Sequence, residues 1–316
     1  MHFNATSIGY AVPRMDFDVT VHSVFRSAVN LRLVGDNMLL TLLTFSETDL
    51  PQGILINTPN GFSFEGLSLG TQGICRGGVL NLDNSLSIDL RNARCWECNL
   101  PALNADMTNP TCVSAWRCVW QALNDRQICF GAEIVAEDLF CSSAKKQSVL
   151  IQRLSKSFRN ILKMARQFDL ADKGAIRALV GLGSGLTPCG DDLLTGYMAG
   201  LWCTTSGGSE RLNFLSKFGD VVIQLSKGTN DISRTYLYHA ACGQVSSRLF
   251  NLAKAICNGS DPQSVRDCAK SAMQVGHTSG MDALTGLLFG LAVWDNLHIV
   301  NSISSSQLQE MMLSKS

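Results

Sequence analysis

Between Val180 and Leu201 the chain reads VGLGSGLTPCGDDLLTGYMAGL, a stretch that concentrates the residue types able to bind a small anion. Glycines at 181, 183, 185 and 190 relax the backbone, so that several N–H groups can turn toward one point. Thr187, Pro188, Asp191 and Asp192 are types that open a helix. Exposed amides leading into a helix N-terminus attract phosphate or carboxylate, which makes Gly183, Gly185, Thr187 and Gly190 candidate ligand-binding positions. Asp191 and Asp192 add a second chemistry: neighbours at a helix start point in different directions, so one caps the helix while the other faces a ligand or Mg²⁺. The same residues also fit a glycine-rich helix cap that holds nothing. The segment carries no nucleotide signature, because no Gly-Lys-Ser/Thr follows and Gly181-x-Gly183-x-Gly185 departs from G-x-G-x-x-G.

The pattern recurs. Residues 185–201 (GLTPCGDDLLTGYMAGL) align with 276–291 (GHTSGMDALTGLLFGL) after one deletion, matching Asp192, Leu194, Thr195, Gly196, Gly200 and Leu201 to Asp282, Leu284, Thr285, Gly286, Gly290 and Leu291. Each copy is a polar turn opening an apolar helix with glycines four apart on one face, and such a face lets another backbone approach closely. The two helices are therefore expected to pack on each other or on a common neighbour, with the loops at 183–192 and 276–282 facing one cleft. The alternative is that the glycines serve packing alone. A third polar opening, Thr229-Asn230-Asp231-Ile232-Ser233-Arg234, precedes an apolar stripe through Leu237, Ala240, Ala241, Val245 and Leu249. These are ordinary capping types, yet three such openings suggest one shared polar pocket to which Thr229, Asn230 and Ser233 contribute. His277, between Gly276 and Thr278, suits an acid–base or oxyanion role, whereas His239 sits among helix residues and reads as packed. His2, His22 and His298 form no constellation.

The elements that must hold these residues follow from hydrophobic period. From Val19 to Leu90 the runs VTVHSVF, VNLRLV, MLLTLLTF, GILI, VLNL and LSIDL are short and β-branched, punctuated by GDN at 35–37 and DN at 83–84. They predict a small antiparallel β domain, a sheet or a barrel, over residues 1–100. Asn99–Thr111, with two prolines, reads as a connection. A larger, mainly helical domain follows over residues 112–316, giving an α+β fold. One helical stripe runs through Leu150, Leu154, Phe158, Ile161, Leu162, Ala165 and Phe168, and another through Leu212, Leu215, Phe218, Val222 and Leu225. Asp261-Pro262 starts a further helix. The first stripe is flanked by Lys145, Lys146, Arg153, Lys156, Arg159, Lys163 and Arg166, either a solvated face or one turned to an anion or a partner.

Composition sets outer limits. Across 316 residues, 26 Lys and Arg balance 26 Asp and Glu, so there is no global field to attract nucleic acid. With 46% hydrophobic and 16% charged residues, the chain suits a packed protein with partner surfaces rather than a disordered one. Ala283–Trp294, the longest apolar stretch, is too short to span a bilayer and reads as a core helix, and no secretory leader precedes Phe17, so a cytoplasmic protein is expected. Most of the twelve cysteines lie in apolar segments as reduced packing residues. Cys95 and Cys98 have metal-clamp spacing, but a zinc site needs a second pair and Cys112 and Cys118 are six apart.

The blocks GLGSGLTPCGDDLLTG, TNDISRTYLYHAACG and GHTSGMDALTG, preceded by FRSAVNL and LLTL, resemble a bacterial family first described as a domain of unknown function. Its members include the third subunit associated with oxamate carbamoyltransferase of anaerobic allantoin breakdown, and some have been labelled carboxylases. The resemblance runs from Phe25 to about Leu291. This chain has Ser184 where the family usually has Pro, and Cys189 where it usually has Ser, which removes any hydroxyl role at 189. The resemblance implies carbamoyl transfer between carbamoyl phosphate and oxamate, giving oxalurate and phosphate, within a multi-subunit enzyme and on small anionic substrates. Under it, loop N–H groups, Thr187, His277, Thr278 and Ser279 supply donors to the developing oxyanion. Asp191, Asp192 or Asp282 accepts a proton or holds a metal such as Mg²⁺. Two other readings stay open: a non-catalytic ligand-binding or assembly subunit, and a metal-dependent carboxylase or hydrolase.

Overall fold

Alternation of buried and exposed side chains builds the first part of the chain. Among the described residues nine strands form: β1 His2–Gly9, β2 Phe17–Val24, β3 Ala28–Leu33, β4 Leu39–Thr44, β5 Gly53–Ile56, β6 Gln72–Arg76, β7 Val79–Leu82, β8 Leu86–Asp89 and β9 Arg94–Trp96. The computed structural model describes residues 1–36, 38–44, 47–83, 85–130, 132, 134–139 and 148–295. Neighbouring strands run in the order β5-β4-β3-β2-β6-β7-β8-β1, and β1 pairs back to β5, so eight strands close into a barrel. Closure leaves no long edge exposed. β1 makes this possible by serving three partners. Its first residues pair parallel with β8 (Phe3↔Ile88), its last pair parallel with β9 (Ile8↔Cys95), and its other edge pairs antiparallel with β5. Most ladders are antiparallel, as expected from the sequence; β4–β5 and β1–β8 are the parallel ones in the ring. Val19, Val29, Leu31, Leu42, Ile54, Ile56, Leu80, Leu82 and Ile88 fill the interior without exposure.

The sequence runs missed β1, β6 and β9. β6 is QGICR, whose inward positions are Gly73 and Cys75 rather than large apolar residues. A Cβ on Gly73 would lie 2.3 Å from Leu82 Cδ2 and 2.7 Å from Val19 Cγ2, so a larger residue there forces both side chains to shift. The turn residues Asn37 and Asn84, with Lys145, Lys146 and His298, lie outside the described residues.

The remainder is helical: α1 Pro110–Phe130, α2 Val149–Gln167, α3 Lys173–Leu179, α4 Cys189–Cys203, α5 Ser209–Leu225, α6 Asp231–Ala241, α7 Ser247–Cys257, α8 Pro262–Met273 and α9 Ser279–Ala292. The chain divides into one compact unit of Met1–Cys98 with Gln244–Arg248 and a second of Asn99–Gly243 with the chain from Leu249. α1 begins within the segment read as a connection. It buries Trp116 and Trp120, stacked at 5.2 Å, and the Trp116 indole donates to Leu288 O at 2.8 Å. α2 buries Leu154, Phe158, Ile161, Leu162 and Ala165 of the expected stripe, while Leu150 is half-buried and Phe168, its C-cap, is 39% exposed; Arg153, Lys156, Arg159, Lys163 and Arg166 lie on its exposed side. α5 follows its stripe except at Leu212, which is 48% exposed. The stripe from Leu237 to Leu249 is not one helix: α6 stops at Ala241, and Gly243, at φ +76°, turns the chain before α7. Asp261 caps α8 as its Asp-Pro signal predicts, accepting from the amides of Gln263 and Ser264, each at 3.0 Å. No described helix is long and apolar enough to cross a membrane.

At the centre of this unit α4 and α9 lie against each other, parallel and almost in backbone contact. A Cβ on Gly196 would sit 1.7 Å from Ala283 O, and one on Gly286 2.0 Å from Leu193 O. One turn on, Gly200 faces Leu287 O at 2.4 Å and Gly290 faces Tyr197 O at 2.3 Å. The near-repeat in sequence is thus a near-repeat in space, with the matched glycines of each helix receiving the other's backbone. Around the pair, Phe158, Tyr197, Phe218 and Phe289 interlock edge to face.

Candidate functional site

Parallel packing brings the two polar openings to the same end. Thr187, before α4, and Ser279, the first residue of α9, touch through their hydroxyls at 2.6 Å. Asp192 and Asp282, one turn into their helices, stand beside this contact, close enough for the charge on Asp282 to act on Asp192. Asp282 is only 5% exposed and takes a hydrogen bond from Thr278. Asp192 takes hydrogen bonds from Ser279 and Thr187, while its Oδ2 is sealed from solvent and has no hydrogen-bond partner among the described residues.

Both carboxyls are held toward their neutral forms. Burial pushes Asp282 up to about 7, against which the Thr278 hydroxyl works. Burial also drives Asp192 well above the carboxylate range, reinforced by Asp282 and, more weakly, by Asp191; the hydroxyls of Ser279 and Thr187 pull the other way.

Asp191 faces elsewhere. It is 1% exposed and accepts from the Gly181 amide at 2.8 Å and the Thr229 hydroxyl at 2.6 Å, with Ser233 adjacent. Burial raises it less, because these donors support the charged form. Asp191 therefore ties the glycine-rich loop to the start of α6. Asn230 strengthens that tie, its Nδ2 donating to Leu186 O at 3.0 Å while its Oδ1 caps Ser233 N at 3.0 Å. These bonds of Asp191, Thr229 and Asn230 hold the loop in shape.

The loop itself is open. Residues 183–186 are exposed, and Gly183 and Gly185 adopt φ of +114° and +99°, conformations that only glycine holds without strain. Among the described residues nothing lies within 4 Å of where a Gly185 Cβ would be, so that glycine serves conformation rather than packing. Among the described residues no backbone hydrogen bond uses the amides of 183–187. The first amides of α4, by contrast, are occupied: Gly190 N donates to Leu182 O at 2.9 Å, and Asp191 N and Asp192 N to Pro188 O. Gly190 is buried, and a Cβ there would lie 2.1 Å from Leu179 O. Glycine there lets α4 sit on the end of α3. Cys189 turns its thiol back to Leu182 O at 3.2 Å, away from the loop's open side.

His277 is exposed and packs its ring against Phe130 at 4.7 Å, edge to face, and it does not figure among the groups acting on the acid pair. His239 is buried, which depresses it to about 4. Among the described residues no three His, Cys, Asp or Glu side chains are placed to hold a metal. Cys95 meets the Arg14 guanidinium, and Cys98 is buried against Gln244 and Val245, so the two do not form a clamp.

Comparison with known proteins matches residues 179–291 to a family model described as oxamate carbamoyltransferase subunit AllH, and residues 5–95 to the AllH family N-terminal domain. The first match spans all three polar openings, and the second covers nearly the whole barrel. No solved structure matches the chain.

Proposed function

The chain belongs to the AllH family of oxamate carbamoyltransferase subunits, and from that premise we propose that it binds the anionic substrates of carbamoyl transfer at the end of the α4–α9 pair and contributes to the chemistry. The reaction joins carbamoyl phosphate and oxamate into oxalurate and phosphate, with other subunits completing the enzyme. The observation that carries this reading is the meeting of Thr187, Ser279, Asp192 and Asp282 beside a loop whose amides at 183–187 are unspent.

Each part has a physical role. The amides of 183–187 suit a phosphate or carboxylate without any lysine or arginine, in keeping with a chain whose charges balance. Thr187 and Ser279 are donors between the two loops, and Thr278 is a third, placed to steady charge that develops on the carbamoyl oxygen. Because the amide nitrogen of oxamate is a weak nucleophile, alignment of two bound anions and removal of a proton limit the rate, and Asp192 and Asp282 supply the acceptor. Residues 112–316, the proposed helical domain, hold all of these groups.

The experiment is to combine the chain with candidate partner subunits and follow oxalurate and phosphate conversion to carbamoyl phosphate, with and without a chelator. Activity that requires this chain and falls when Asp192 is replaced supports the reading. Full activity in an Asp192→Asn complex turns the chain into an assembly subunit.

A further inference from the structure

We propose that Asp192 and Asp282 work as one acid–base pair, Asp282 taking the proton of the attacking amide nitrogen and Asp192 delivering one to the departing phosphate. The inference rests on the carbamoyltransferase reading above and divides the labour within it.

Geometry makes the assignment. Two parallel helices with glycine faces are the closest approach two helix backbones can make, so equivalent residues near their N-terminal ends are forced together. Asp192 and Asp282 are equivalent in the near-repeat, and so are placed as neighbours, and among the described residues no cation acts on either. The Asp192 Oδ2, buried and without a partner among them, cannot stay ionised cheaply; a proton on it removes the conflict. The Thr278 hydroxyl supports a charge on Asp282, which leaves Asp282 as the member to ionise and the buried, unpartnered Asp192 Oδ2 as the seat of the remaining proton. The pair therefore shares one proton, which Asp192 holds. The other groups around it do not compete: Asp191 is bound to Gly181 and Thr229, Asp231 pairs with Arg234 on α6, and His277 rests on Phe130.

The step balances on that single proton. As the amide nitrogen of oxamate bonds to the carbamoyl carbon, its proton passes to Asp282. The carbon–oxygen bond to phosphate breaks with its electron pair on the phosphate oxygen, and Asp192 protonates that oxygen. The pair ends as it began, with one proton, now on Asp282, and transfer back to Asp192 resets it. In phosphorolysis of oxalurate the same two transfers run in reverse.

Infrared spectroscopy of the full chain and rate measurements on its complex test this together. The wild type should show a protonated-carboxyl stretch that persists at about pH 8, where ordinary carboxyls are ionised, and Asp192→Asn should abolish it. Asp282→Asn should retain it and shift its titration to lower pH. In the complex, both Asn variants should lose about 100-fold or more in rate, and the wild-type rate should rise as pH passes about 7. Absence of the band at about pH 8, or its survival in Asp192→Asn, overturns the shared proton. An active wild type whose Asn variants keep full rate overturns the relay alone. A wild-type complex that assembles yet converts neither substrate pair overturns the carbamoyltransferase reading and the relay with it.

Discussion

Replacing Asp282 by Asn should make the protein more stable, and only above a definite pH. In the folded chain burial pushes Asp282 up to about 7, against an ordinary value of 3.8. Its folded pKa is raised, so between those two values the folded state holds a proton that the unfolded state has already released. Stability therefore falls as pH climbs from about 4 to about 7, and the whole cost is present above that. The gap is about 3 pH units, and at about 1.4 kcal/mol per unit the ionised side chain costs at most about 4 kcal/mol. Asparagine has the same shape, cannot ionise and can still accept from Thr278. Removing the charge also relieves Asp192, which Asp282 pushes upward. Urea unfolding of wild type and Asp282→Asn at about pH 5 and about pH 8 measures the effect. We expect the variant to gain roughly 2–4 kcal/mol relative to wild type between the two conditions. An identical stability difference at both pH values refutes the argument, because it means that Asp282 titrates as an exposed carboxyl.

Gly286→Ala should destabilise the protein by about 3 kcal/mol or more, since the new methyl meets the Leu193 carbonyl at 2.0 Å and helices α4 and α9 must separate; thermal unfolding of the variant checks it, and a loss below about 1 kcal/mol argues against backbone contact. Gly185→Val has no neighbour to strike among the described residues but cannot easily hold φ of +99°, so calorimetric titration should show weaker phosphate and oxamate binding with little change in melting temperature. Asn230→Ala removes both the tie to Leu186 O and the α6 cap, and should cost about 1 kcal/mol while speeding amide exchange around residues 183–187; unaltered exchange there denies the tie. His277→Ala should lower the rate of the complex by less than tenfold, because the ring packs on Phe130; a loss of about 100-fold restores the histidine to the chemistry.

Much was legible in the chain because it depends on local pattern. Alternating apolar runs marked six of the nine strands, and 3.6-residue stripes marked α2 and α5. What escaped was whatever depends on a partner. β1 carries polar residues and earns its place through three different neighbours, and β6 turns glycine inward where Val19 and Leu82 fill the space. α1, hidden behind two prolines, is recognisable once Trp116 and Trp120 are seen packed on α9.

For the site the division is sharper. The paired blocks at 185–201 and 276–291 determined by themselves that two polar turns would open two glycine-faced helices, because spacing along one helix needs only the chain's own periodicity. That the helices run parallel, so that Thr187 meets Ser279 and Asp192 meets Asp282, was decided only by tertiary packing. So was the parting of two adjacent acids, Asp191 to the loop clamp and Asp192 to the carboxyl pair. Consecutive helix residues point about 100° apart, and the sequence holds that angle but not the neighbour waiting at the end of each side chain.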